Sequence, residues 1–213
     1  ALVLGLIAGD EDEVRHAAER LTPLFTRQND LLDVRVGGAA EVSRQVSVQA
    51  ERDLKKAELL AAPLTLIALM FVFGGFVAAL LPLGVAVVSV VATFAALRIL
   101  TEFTDVSIFS LNLTTALGLG LAIDYSLFVL SRYREERGKG ADLDLALRRT
   151  MQTAGRTVGF SAITVAVSLA ALLVFPMTYL RSYAYAGIVV VALAAVSSLT
   201  VLPALLAVLG DRV

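Results

Sequence analysis

Asp124 and Tyr125 stand side by side inside Ser107 to Leu130, a stretch otherwise almost free of charge and long enough to cross a membrane as a helix. A bilayer core has no water to solvate a carboxylate, so an Asp at that depth normally faces protein and marks a path for protons, ions or substrate. The neighbouring phenol can donate to a carboxylate or order a water. Gly120 lies one turn before Asp124 and would admit another helix backbone, burying the carboxylate and disfavouring its charged form. In a later apolar stretch Ser161, Thr164 and Ser168 are spaced i, i+3, i+7 and share one helix face, from which they could complete a polar seam with Asp124. Hydroxyls in membrane helices also commonly bond their own i−4 carbonyls, which is the plainer reading of that spacing. Asn112 is a further polar group at depth.

Composition excludes much other chemistry. The chain has 213 residues, 58% hydrophobic and only 17% charged, with a mean hydropathy of +0.81, which is too apolar for a water-soluble domain. A net charge of −1 provides no basic face for nucleic acid. Without cysteine there are no disulfides or thiolate sites, and the single His16 cannot build a metal cluster. Gly118-x-Gly120 is not a dinucleotide fingerprint, because it lies within a span and follows no strand. Asp124 has no second intramembrane carboxylate in this chain with which to form a protease dyad. No catalytic residues, metal or cofactor are expected, and the chain reads as a non-enzyme.

The elements that must position Asp124 are mainly helical. Residues 1–56 look like a partial α/β piece: Ala1 to Ile7 reads as a buried strand, and Asp10 caps a helix whose apolar positions are Val14, Ala17, Ala18, Leu21 and Phe25. Leu32, Val34 and Val36 alternate as in a second strand. Such a unit leaves sheet edges unsatisfied, and the chain looks like an excised piece of a larger protein; Ala1 to Gly9 is short and lacks the basic start of a signal peptide. From Glu41 one helix can run into the membrane. Residues 57–213 hold five spans, placed at about Ala57 to Leu80, Leu83 to Ile99, Ser107 to Leu130, Thr157 to Phe175 and Tyr183 to Leu209, by the criterion of roughly 20 apolar residues each. Leu81-Pro82-Leu83 is expected to be a tight turn between the first two.

The loop at 131–156 carries Arg132, Arg134, Arg137, Lys139, Arg148, Arg149 and Arg156, whereas the preceding loop has only Arg98 against Glu102 and Asp105. By the positive-inside rule the basic loop is cytoplasmic and residues 1–56 extracytoplasmic, with Tyr179, Tyr183 and Tyr185 at the opposite interface. Within that loop an amphipathic helix at about 141–156 is expected along the membrane surface, its basic end near anionic membrane lipid or water.

The run Gly118-Leu119-Gly120-Leu121-Ala122-Ile123-Asp124-Tyr125-Ser126-Leu127-Phe128, followed by Ser131-Arg132-Tyr133-Arg134-Glu135-Glu136, resembles the MmpL (mycobacterial membrane protein large) family of the resistance-nodulation-division superfamily. Glu51-Arg52-Asp53-Leu54, Phe73-Gly74-Gly75, Asp105-Val106-Ser107-Ile108-Phe109, Arg148-Arg149-Thr150 and Gly155-Arg156-Thr157 extend the resemblance over essentially the whole chain. It implies the end of a first extracytoplasmic porter domain followed by spans two to six of a multi-pass protein of the cytoplasmic (inner) membrane. It further implies export of lipid or glycolipid toward the cell envelope, driven by the proton-motive force. In that scheme Asp124 and Tyr125 form half of a proton relay, Ser161 matches a serine placed beside it, and the second half of the transporter supplies a matching Asp-Tyr pair. Two alternatives stay open: a lipid-sensing or partner-binding module like the sterol-sensing domains, and export of drugs or protein by a related transporter.

Overall fold

The computed structural model describes residues 3–9, 11–29, 32–102 and 108–210, which divide into two units, Ala1–Leu59 and Leu60–Val213.

In the first unit, helix α1 (Glu11–Phe25) is followed by β1 (Arg27–Asn29) and β2 (Leu32–Val34), an antiparallel pair in which Arg27 faces Val34. Residues 3–8 form no strand, contrary to the sequence expectation, and Val3, Leu4 and Leu6 are exposed. The physical reason is that a strand needs a neighbour for its N–H and C=O groups, and no described strand lies beside them. β1 was not foreseen, and Asp10 lies outside the described residues. Of the apolar stripe on α1 only Ala18 is buried; Thr22 beside it donates a 2.6 Å hydrogen bond to Glu41 on the next helix.

Helix α2 runs unbroken from Ala39 to Phe73. At 1.5 Å per residue it is about 50 Å long, far more than a bilayer core needs, and its charged first half precedes an apolar second half. It stops at Gly74, whose φ of +62° is open to glycine without strain, and whose N–H donates to the Met70 carbonyl at 2.8 Å. Gly75 is extended and starts α3 (Phe76–Leu100). The hairpin turn is therefore at Gly74-Gly75 and not at Leu81-Pro82-Leu83; Pro82 is buried inside α3, where neighbouring helices shield the backbone group it leaves unbonded.

Helix α4 (Ile108–Gly138) carries Asp124. After a turn at Gly140, Asp142 caps α5 (Leu143–Thr150) by accepting from the Leu145 N–H at 2.8 Å. The amphipathic segment begins as α5. Its backbone stays helical through a π-helical turn, Met151–Gly155, directly into α6 (Arg156–Ala170) and a 3₁₀ turn, Ala171–Val174. Helix α7 (Thr178–Leu209) closes the bundle. Among the described residues five helices are long and apolar enough to cross a membrane, so the chain is a mainly helical, multi-pass membrane protein.

The core of the second unit lies where α3, α4 and α7 meet, among Val85, Ala86, Ala122, Val129, Leu130, Val191, Ala194 and Leu202. Small residues permit the close approach: a Cβ on Gly118 would sit 3.2 Å from Val190, and one on Gly187 would sit 2.8 Å from Leu169, where α6 packs on α7.

Candidate functional site

Helix α4 has two unlike sides. Ala122, Ser126, Val129, Leu130 and Tyr133 are buried, while Ala116, Gly120, Asp124 and Phe128, spaced by four, form an exposed line. Asp124 is thus not buried within this chain, contrary to the sequence expectation. Among the described residues nothing lies within 4 Å of the position a Cβ on Gly120 would take, so none of them packs on the helix there. Asp124 makes no hydrogen bond or ion pair among the described residues. Tyr125 points the other way, 4% exposed, and its Oη has no hydrogen-bond partner among the described residues.

The serine and threonine stripe lies on α6, which packs on α7 rather than on α4. Thr164 donates to the Phe160 carbonyl and Ser168 to the Thr164 carbonyl, each at 2.9 Å, and both side chains are exposed. They follow the plain i−4 pattern. Ser161 is half-buried and makes no direct hydrogen bond to Asp124. The side chains of Asn112 and Tyr179 lie outside the described residues.

Two arrangements escaped the sequence reading. In the core, the Ser126 and Ser198 hydroxyls are 3.3 Å apart, and Ser198 donates to the Ala122 carbonyl at 3.3 Å, joining α4 to α7 directly behind Asp124. At the Arg-rich end, Glu136 is 2% exposed yet ionic, bound by Arg132 Nη2 at 2.7 Å, Arg149 Nη1 at 3.2 Å and Lys139 Nζ at 3.6 Å. Arg132 also donates to Thr153 in the π-helical turn at 3.2 Å. Arg134 donates to the Phe73 carbonyl at 2.6 Å and lies over the Phe73 ring, so it caps the end of α2. The Arg-Glu-Glu sequence signalled these ties only as i, i+3 and i, i+4 charge pairs; the contacts between elements needed the fold.

Such an arrangement can do little covalent chemistry. It presents one exposed carboxylate on α4, with the buried Ser126–Ser198 contact on the opposite side of the helix, and such a carboxylate can take up a proton or meet a cation.

Residues 8–213 match the MMPL family. Over 204 residues, covering 96% of this chain, it is 41% identical to the trehalose monomycolate exporter MmpL3 of Mycolicibacterium smegmatis and 46% identical to a membrane protein of Streptomyces coelicolor, of which it covers 20% and 29%. The mycolic acid-containing lipids exporter MmpL11 of Mycolicibacterium smegmatis is 36% identical over 183 residues, which are 86% of this chain and 19% of that protein. The chain spans less than a third of the length of these relatives.

Proposed function

The chain belongs to the MMPL family, and from that premise we propose that it is part of an exporter that moves lipid or glycolipid across the cytoplasmic membrane toward the cell envelope, driven by protons. Relatives named as exporters of trehalose monomycolate and of mycolic acid-containing lipids support a lipid substrate. The observation that carries the proton step is Asp124, set midway along α4 on its exposed line with no ion pair among the described residues. An unpaired carboxylate at that depth is costly unless it changes protonation or meets a partner in use. Tyr125 and Ser161 complete the relay in this reading, with Gly120, Thr164 and Ser168 shaping its surroundings, and a second half with a matching Asp-Tyr pair covers the open face.

In the same reading residues 1–56 are the end of a porter domain outside the membrane and residues 131–156 face the cytoplasm. The contact of Arg134 with Phe73 supports this, because it sets the end of α2 beside the Arg-rich end of α4. A cysteine at Lys139 then reacts with impermeant reagents from the cytoplasmic side alone, and one at Glu102 from outside alone.

The deciding experiment is Asp124→Asn in the full-length protein, reconstituted in proteoliposomes under an imposed pH gradient. Each proton crossing supplies about 2.3 kcal/mol per 100 mV, and the variant removes the group that would accept it with little change in volume. Normal insertion with loss of proton-driven lipid movement supports the relay. Full transport by Asp124→Asn overturns the relay at this residue, whereas absence of lipid movement in the wild type as well as the variant would leave lipid sensing ahead.

A further inference from the structure

Apolar packing around α4 does not by itself fix the helix's rotation. Ala122, Val129 and Leu130 meet α3 and α7 through dispersion contacts that lack direction. Hydrogen bonds have direction, and at Ser198 buried ones join α4 to α7.

Thr93, Thr114, Thr164, Ser168 and Thr200 all return their hydroxyls to the carbonyl four residues earlier in their own helices, as isolated hydroxyls in membrane helices commonly do. Ser198 departs from that habit and reaches another helix. Its Oγ is 3.3 Å from Ser126 Oγ and 3.3 Å from the Ala122 carbonyl oxygen, and Ser198, Ser126 and Ala122 are all fully buried. One arrangement of protons serves both contacts: Ser126 donates to Ser198, and Ser198 donates to Ala122. Ala122 and Ser126 are one turn apart, and Asp124 is two residues from each, so it points from the opposite side of the helix. Any rotation that moved Asp124 off the open face would break both hydrogen bonds.

We propose that Ser198 is a positioning residue for the proton relay: through Ser126 and the Ala122 carbonyl it locks the rotation of α4, holding Asp124 on the open face and Tyr125 inside. This rests on the proton reading of Asp124. Ser198 never touches the proton or the lipid; it acts through α4.

The test uses Ser198→Ala, Ser126→Ala, the double variant and Ser198→Thr in the full-length protein. It measures the initial rate of lipid movement in proteoliposomes against lipid concentration, and the rate at which a hydrophobic carbodiimide labels Asp124. Ser198→Ala lowers the maximal rate about three- to tenfold, the range set by losing one or two hydrogen bonds, and leaves the half-saturating lipid concentration unchanged. Adding Ser126→Ala changes it little further, because the two hydroxyls act as one bridge. Ser198→Thr, which keeps the hydroxyl, restores the rate. Labelling of Asp124 changes in Ser198→Ala and reverts in Ser198→Thr, which a residue needed only for stability would not produce. If Ser198→Ala fails to insert, Ser126→Ala carries the same comparison, since Ser198 keeps the Ala122 carbonyl. A wild-type maximal rate and unchanged labelling in the inserted variants overturn the proposal. Were Asp124→Asn fully active the relay itself would fall; were Asp124→Asn inactive and Ser198→Ala fully active, the positioning role alone would.

Discussion

Helix α4 carries three carboxylates, and two of them, Asp124 and Glu136, about three turns apart, are treated oppositely. Glu136 is buried and bound by Arg132, Arg149 and Lys139, tying α4 to α5. Asp124 is exposed and has no such partner among the described residues. Surrounding cations commit Glu136 to holding elements together; a carboxylate left without them can gain and lose a charge without disturbing the fold. The difference separates an acid committed to holding the fold from one that is not, and the proposed relay uses the second.

Exchanging the charges is the strongest way to break that distinction. Asp124→Asn is expected to cut proton-driven lipid movement by about 100-fold or more while leaving the unfolding midpoint in detergent unchanged. Glu136→Gln should do the reverse, destabilising by about 3 kcal/mol because Arg132 and Arg149 lose their buried counter-charge. If Glu136→Gln unfolds like the wild type, the structural assignment of Glu136 fails.

Arg134→Ala sharpens the picture of the Arg-rich end. It frees the Phe73 carbonyl at the end of α2, and denaturant unfolding should show a loss of about 2 kcal/mol, with faster proteolysis at Gly74-Gly75. Unchanged cleavage there would mean that the glycine turn alone sets the helix end.

At the other region Tyr125→Phe removes a buried hydroxyl that has no partner among the described residues. Stability should stay within about 0.5 kcal/mol of wild type, while transport falls about tenfold, a cost of about 1.4 kcal/mol. Equal transport would confine the relay to Asp124.

The smallest effect concerns a carboxylate in the first unit. The hydrogen bond from Arg44, helped by Thr22 and Gln45 and opposed by desolvation, holds the Glu41 carboxyl at about 2, below its ordinary 4.5. A depressed folded-state value means that the contribution is present in full above about pH 4.5 and is lost as pH falls toward 2. Hydrogen exchange of α1 amides, corrected for intrinsic rates, should lose protection across that window. A Glu41→Gln variant with the same profile would dissociate the transition from Glu41.

Long apolar runs made the spans and the place of Asp124 legible, since a single run of about 20 apolar residues satisfies its own backbone across a bilayer only as a helix. Proline was misleading: Leu81-Pro82-Leu83 read as a turn by the rules of water, while the real break used the positive φ of Gly74. Burial of Asp124 was inferred from Gly120, but a small residue permits an approach without showing that a helix makes it. Ser198 was invisible for another reason. It sits in the short run Ser197-Ser198-Leu199-Thr200, which has no helical period, and its partners lie 72 and 76 residues away. Ala1 to Ile7 had the apolar content of a strand, but content cannot supply a neighbouring edge.

The π-helical turn at Met151–Gly155 has a consequence for helical phase. An α-helix advances about 100° per residue, and a π turn accommodates about one extra residue without breaking the rod. The thread of α6 is therefore offset by more than a quarter turn from the one that α5 begins, so Arg149 can meet Glu136 on α4 while Leu169 seats on Gly187 of α7. Removing one residue from 151–155 would bring the two threads back into step, and only one of those contacts could then keep its azimuth.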